Sequence, residues 1–195
     1  MSKKWTNEKL PGALHYVTGN VDKRRQIFSN QRNCIAFLEE LQSLKNKREA
    51  RLICFVVMPD HFHLIVNPRD GDIQTWIAEL KSLSAKRLVQ ANANGFFRKP
   101  DGENEVWQES FKSLALWSGW LIWQKINYIH QNPLRANLVK SAVNYRWSSF
   151  KSFYGHECEE LLSVDHEWWY SDDVAKLKEA MKRRAGGASL PDMRK

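Results

Sequence analysis

The stretch CFVVMPDHFHLIVNP, residues 54–68, constrains the chain more than any other. Its two apolar runs, residues 54–58 and 64–66, have the β-branched and aromatic content of buried strands, and Pro59-Asp60 between them leaves room only for a tight turn. Residues 51–58 and 61–67 are therefore predicted to form a hairpin. A buried strand has little use for polar side chains, yet the second one carries His61 and His63. Side chains alternate along a strand, so residues two apart leave the same face, with Cα atoms about 6.6 Å apart. Both imidazoles can then reach one metal ion. The plainer alternative is a pair of strand histidines satisfied by hydrogen bonds.

The rest of the chain arranges itself around this hairpin. Residues 13–19, ALHYVTG, read as a first strand, followed by a turn at Gly19, Asn20 and Asp22 and the basic cluster Lys23-Arg24-Arg25. Helical periodicity over 31–47 places Cys34, Phe37, Leu38 and Leu41 on one face, and over 72–92 it aligns Ile73, Trp76, Ile77, Leu80, Leu83 and Leu88. Residues 92–102 are loop by composition, and EVWQESFKSLA, 105–115, suits a fourth strand. A third helix spans 118–131, with Ser118 as its N-cap. It is predicted to stop near Asn132, because Pro133 disfavours helical geometry in the residue before it. Strand, helix, strand, strand, helix, strand is the split βαβ order. The expected class is α+β: a ferredoxin-like domain with a four-stranded antiparallel sheet, an added helix and a C-terminal tail.

At 195 residues and 43% apolar composition the chain can bury a real core. No apolar run approaches a membrane span, and MSKKWTNEKLPG lacks the apolar centre of a signal peptide. Cys34, Cys54 and Cys158 show no CxxC spacing, which fits reduced thiols and a cytoplasmic protein. Residues 1–155 carry 23 basic and 13 acidic side chains (+10), residues 156–170 carry 5 acids and no Lys or Arg, and residues 171–195 carry 7 basic and 4 acidic (+3). The basic body points to a polyanionic partner. The charge reversal divides the chain into a domain, 1–155, and a tail, 156–195, whose residues 160–170 are expected to dock on the core because Trp168 and Trp169 are poorly suited to water. A chain ending at Gly155 is expected to fold, with its activity or affinity changed several-fold at low salt. Of the nine tryptophans, Trp76, Trp120 and Trp123 fall in helical patterns and are assigned to the core; others can stack unpaired bases.

A second group of reactive residues is NYIHQNP, 127–133. Tyr128 and Asn132 lie four apart and share a helix face, whereas His130 lies about 200° around the helix from Tyr128. A tyrosine there can be a core residue or a nucleophile; a phenol with a pKa of roughly 10 needs an activated phosphate to attack. No four-residue Cys/His set for structural zinc is apparent. Two histidines completed by oxygen ligands suit Mg²⁺ or Mn²⁺, which polarise phosphoryl oxygens.

Together these stretches resemble a known family. MPDHFHLIV is similar to the His-hydrophobic-His motif of HUH single-strand endonucleases. YIHQNPLRANLV, followed by NYRWSSFKSFYG, resembles the tyrosine-bearing helix and its sequel in the REP-associated tyrosine transposases, relatives of the single-tyrosine insertion-sequence enzymes. HYVTGNVDKRRQIF and VWQESFK also have counterparts there, so the resemblance spans about residues 11–155. It implies that His61, His63 and Asn132 hold the divalent ion. It also implies that Tyr128 attacks a phosphodiester of single-stranded or hairpin DNA, leaving a 5′-phosphotyrosine and a free 3′-hydroxyl. The first turn departs from the family's Arg-Gly-Asn, having Thr18-Gly19-Asn20 instead, and Lys23, Arg24 and Arg25 are candidates to replace the missing phosphate contact. Arg98, Lys99, Lys112, Arg135 and Arg146 are further candidate backbone contacts. The expected setting is the bacterial cytoplasm, at the nucleoid, with monomer and dimer both open. The alternatives are a catalytically weak hairpin-binding protein of the same fold and an RNA-recognition domain, although no RNP-type pattern is present.

Overall fold

A computed structural model describes residues 13–92, 97, 105–116, 118–157 and 162–165. Its elements are β1 (Leu14–Asn20), α1 (Gln31–Lys47), β2 (Arg51–Met58), β3 (His61–Asn67), α2 (Ile73–Ala91), β4 (Lys112–Leu116), α3 (Gly119–Arg135) and α4 (Phe150–Tyr154). The sheet order is β2-β3-β1-β4, and each neighbouring pair is antiparallel. This is the expected four-stranded α+β arrangement. The three long helices are capped by short polar side chains: Asn30 accepts from Arg32 N–H, Asp72 from Thr75 N–H and Ser118 from Leu121 N–H.

Strand alternation sorts the core into two layers. Val17, Phe62, Leu64 and Val66 pack with α1 and α2 on one face. Leu14, Tyr16, Met58 and Ile65 pack with Leu121, Ile122, Ile126 and Ile129 of α3 on the other. His61 and His63 alternate with Phe62 and Leu64, which puts both histidines on the α3 side.

Four local expectations are corrected. Gly19 and Asn20 belong to β1 rather than to a turn, since β1 stays paired with β3 as far as Asn20↔His61. Gly19 lies opposite Phe62, and a Cβ at that position would come within 2.4 Å of the Phe62 ring, so the strand continues there only without a side chain. The fourth strand begins at Lys112, not 105. Val106 and Trp107 do run beside the end of β1, with Val106 accepting from Asp22 N–H and Trp107 bridging Val21. The ammonium of Lys81 binds the carbonyls of Gln108 and Glu109 where the chain leaves β1, and pairing resumes at Lys112. Helix α3 continues through Pro133 to Arg135. Proline removes one N–H, but it sits in the last turn, where Ala136 N–H still reaches Asn132 O and Leu138 N–H reaches Pro133 O, both at 3.0 Å. Finally, Trp120 is 49% exposed, on the outer side of α3, whereas Trp76 is buried as expected.

Edge strand β2 is covered on its outer side. Val57 N–H donates to Trp147 O, Ser149 N–H donates to Phe55 O, and Asp165 N–H donates to Leu52 O. The tail's described residues thus dock: Leu162 and Val164 are buried in the α1/α2 layer, and Asp165 pairs with Lys45 at 3.1 Å. Trp168 and Trp169 lie outside the described residues. Truncation after Gly155 is accordingly expected to lower stability by about 3 kcal/mol, roughly 10 °C in Tm, from two lost apolar side chains and a bared, largely buried Lys45. Thermal melts that superimpose for the two lengths would refute this.

Candidate active site

The β2–β3 turn is held from below. Pro59 O accepts from Phe28 N–H and Asp60 O accepts from Val21 N–H, both at 2.9 Å. The loop after β1 therefore fixes the turn that presents His61. Within that loop Lys23 and Arg24 both have left-handed backbone, φ 52° and 55°, a conformation that ordinary side chains disfavour. It brings Arg24 Nε to 2.8 Å from Asp60, whose other carboxylate oxygen lies 2.5 Å from His61 Nδ1. Nδ1–H donating to Asp60 leaves Nε2 of His61 as the nitrogen for a ligand.

His63 is arranged in the same way by different partners. Its Nδ1 lies 2.8 Å from Thr18 Oγ1 and 3.0 Å from the Tyr16 hydroxyl, and Thr18 donates on to Tyr16 at 3.1 Å. With Nδ1–H donating to Thr18, Nε2 is bare. That atom is buried and has no hydrogen-bond partner among the described residues. An orphaned buried nitrogen is unfavourable unless something ligates it. The two rings are 4.7 Å apart, and burial lowers both pKa values, His63 the more strongly, so both rings are neutral and able to donate a lone pair at pH 7. Oriented Nδ1 partners of this kind are what metal-binding histidines have. Among the described residues no cluster of three His, Cys, Asp or Glu is present.

Tyr128 reaches this site from α3. Its ring centroid lies 5.5 Å from that of His63 and 6.1 Å from that of Tyr16. Asn132 is one turn further along the same face. Two cations flank the phenol: Arg135 lies 5.4 Å and Lys125 Nζ 5.5 Å from its ring centroid. His130 faces elsewhere, bonded to Ser149 Oγ at 2.9 Å and packed against Phe150, Phe153 and Tyr154. Tyr145 donates to Val57 O, and burial pushes its hydroxyl and that of Tyr154 up in pKa. Tyr16 is also raised by burial and is committed to His63 and Thr18.

Of the basic candidates, Lys23, Arg24, Lys112, Arg135 and Arg146 are exposed. Arg24 also bonds Asn20, Arg25 binds Asp22 and Glu105 O, and Arg146 lies over Trp147. Arg98 and Lys99 lie outside the described residues. Sequence reasoning missed Tyr16, Thr18 and Lys125, and did not give Asp60 a role. Asp60 is signalled by its adjacency to His61, and Lys125 by its place one turn before Tyr128.

The family model for IS200-like transposases matches residues 13–132, more than half of the chain. The chain belongs to that family. Among solved structures it is similar to a REP-associated tyrosine transposase bound to a REP hairpin, at 21% identity and a TM-score of 0.62, over 87% of this chain and 95% of that one. At this identity the likeness speaks for the fold. A candidate transposase from Deinococcus radiodurans R1 aligns at 19% identity and a TM-score of 0.46, over 64% of this chain and 97% of that one. No curated protein matches the chain. The IS200-like membership makes this chain a transposase by family, and no helix among its described residues is long and apolar enough to cross a membrane.

Two buried histidines away from the site lead to a pH prediction. His15 is fully buried in β1, and burial lowers its pKa to about 4; His130 is lowered to about 3 for the same reason. Both stay neutral in the fold but protonate near 6.5 once unfolded, so the unfolded state binds more protons as pH falls. Their contribution is fully present above about pH 6.5 and is lost progressively toward pH 4 and 3. Between pH 7 and 5.5 the pair is expected to remove about 2.5 kcal/mol. Urea unfolding at the two pH values reads this, and equal midpoints would refute it.

Proposed function

We propose that this transposase is a divalent-metal-dependent single-strand DNA endonuclease and strand transferase, acting on hairpin-forming repetitive palindromic DNA through a 5′-phosphotyrosine intermediate. The observation that carries the reading is the convergence of the bare, buried His63 Nε2, the His61 ring and the Tyr128 phenol from two separate elements. In it His61, His63 and Asn132 hold Mg²⁺ or Mn²⁺, and the ion, when bound, polarises a non-bridging phosphate oxygen.

Tyr128 is the nucleophile. Its oxygen forms a new bond to phosphorus, the P–O3′ bond breaks, and the 3′-oxygen leaves as a hydroxyl. The phenolic proton lost equals the proton gained by the leaving oxygen, so joining is the same reaction reversed. Asp60 and Thr18 hold the two imidazoles in the tautomer that leaves Nε2 available. Residues 1–155 are the catalytic domain in this reading and residues 156–195 the tail, of which Leu162, Val164 and Asp165 pack on the domain. Lys23, Lys112, Arg135 and Arg146 supply exposed charge for the DNA backbone, with Arg24 and Arg25 tying their loop to the site, and Arg98 and Lys99 are further proposed backbone contacts.

The hairpin partner in the similar solved structure supports hairpin DNA as the substrate class. The test is incubation with a hairpin oligonucleotide and Mn²⁺, followed by a denaturing gel. A covalent protein–DNA band is expected. Its absence, with binding intact, would favour a hairpin-binding protein that has lost catalysis.

A further inference from the structure

We infer that Lys125 is a catalytic residue, its ammonium group pairing with the non-bridging oxygens of the scissile phosphate. This rests on the nuclease reading above and assigns a role to a side chain which that reading leaves unused.

Lys125 lies on the inward face of α3, among Ile122, Ile126 and Ile129, where an aliphatic residue would pack without desolvating a charge. It is only 7% exposed. Its Nζ lies 4.5 Å from the Tyr16 ring centroid and 5.5 Å from that of Tyr128. Tyr16 bonds His63, and Tyr128 packs against His63, so the ammonium belongs to the same cluster of side chains as the His63 imidazole and the Tyr128 phenol.

Three residues before Tyr128, Lys125 rides on the same helix as the nucleophile, so the two keep a fixed relation as the helix packs on the sheet. A phosphodiester attacked by a phenol concentrates negative charge between nucleophile and leaving group. A cation already fixed beside that path needs no reorganisation to meet it. Arg135, the other cation over Tyr128, is exposed and is better placed for the DNA strand outside the site. A purely structural Lys125 would support the Tyr16 and Tyr128 rings by cation–π contacts and would not discriminate between a charged and an uncharged phosphate.

The experiment uses the full chain, Mn²⁺ and a hairpin oligonucleotide whose cleavage position has been mapped from the wild-type adduct. That position is then made either an ordinary phosphodiester or a methylphosphonate, which lacks the negative charge. Lys125→Met is expected to slow adduct formation about 100-fold on the phosphodiester and less than about 3-fold on the methylphosphonate, and Lys125→Arg to recover most of the loss. Because each variant is compared with itself on two substrates, partial unfolding cancels.

Binding in the Tyr128→Phe background reads the same difference without turnover: Lys125 should favour the phosphate over the methylphosphonate several-fold, and Lys125→Met should erase that preference. Equal losses on both substrates, or a preference unchanged by Lys125→Met, would overturn the inference and leave Lys125 as a support for Tyr16. If the wild-type chain forms an adduct and Lys125→Met matches it, only Lys125 is removed from the mechanism; if the wild type forms none, the nuclease reading and the inference fall together.

Discussion

Tyr128→Phe is expected to form no covalent adduct with hairpin DNA, a loss of at least about 10⁴-fold, while folding and hairpin affinity stay within about 3-fold of wild type. The substitution removes one oxygen from a half-buried ring. The contacts that orient the ring, with His63, Tyr16, Lys125 and Arg135, are made by the aromatic face and edge and survive in phenylalanine. The only chemical change is loss of the hydroxyl proposed as the nucleophile. Residual adduct would redirect attention to another hydroxyl. Tyr145 and Tyr154 are poor substitutes, since Tyr145 is bonded to Val57 O and Tyr154 packs around His130 on the far side of α3. Mass spectrometry of the adduct peptide identifies the linked residue directly.

The second large effect concerns the histidines. His61→Ala and His63→Ala are each expected to abolish Mn²⁺-dependent cleavage and to leave most hairpin affinity, because the backbone contacts proposed for binding come from exposed basic residues elsewhere. The two are not equivalent in stability. His61 lies at the start of β3, and its removal frees Asp60 to remain paired with Arg24. His63 is 4% exposed, and its removal strips a partner from both Tyr16 and Thr18, adding a loss of about 1–3 kcal/mol. Cleavage at the wild-type rate by both variants would remove the metal assignment; urea midpoints measured alongside separate the chemical effect from the structural one.

How much of this was legible beforehand differs by element. The hairpin is legible at its observed bounds, 51–58 and 61–67, because a Pro-Asp turn between apolar runs admits one arrangement. Helix α1 is equally legible, from a four-residue stripe. The errors arise where a distant group decides a local outcome. β4 starts late because the chain leaves β1 after Gln108, where the Lys81 ammonium on α2 holds the carbonyls of Gln108 and Glu109, and pairs again only from Lys112. Gly19 stays in the strand because Phe62 covers it.

The site follows the same rule. His61, His63, Tyr128 and Asn132 are marked by spacing within one element or by motif. Tyr16 and Thr18 become partners of His63 only through the β1–β3 register, across 47 and 45 positions of sequence. Nothing local to HYVTG announces that contact. Lys125 shares the face of Tyr128 by spacing, but its burial comes only from the packing of α3 on the sheet.

The cover over β2 sets an order on biosynthesis. Leu52 waits for Asp165, 113 positions downstream, to take up its backbone N–H. At about 5–20 residues per second, a nascent chain carries that strand for roughly 6–20 s before its outer cover has been made. Through that interval the apolar run ICFVVM presents unpaired backbone at a sheet margin, the arrangement most prone to join with another chain. Residues 147–149 emerge first and shield its distal half, at Phe55 and Val57, next to the turn that bears His61. The end of the hairpin that bears His61 is thus covered before the far end, which waits for Asp165.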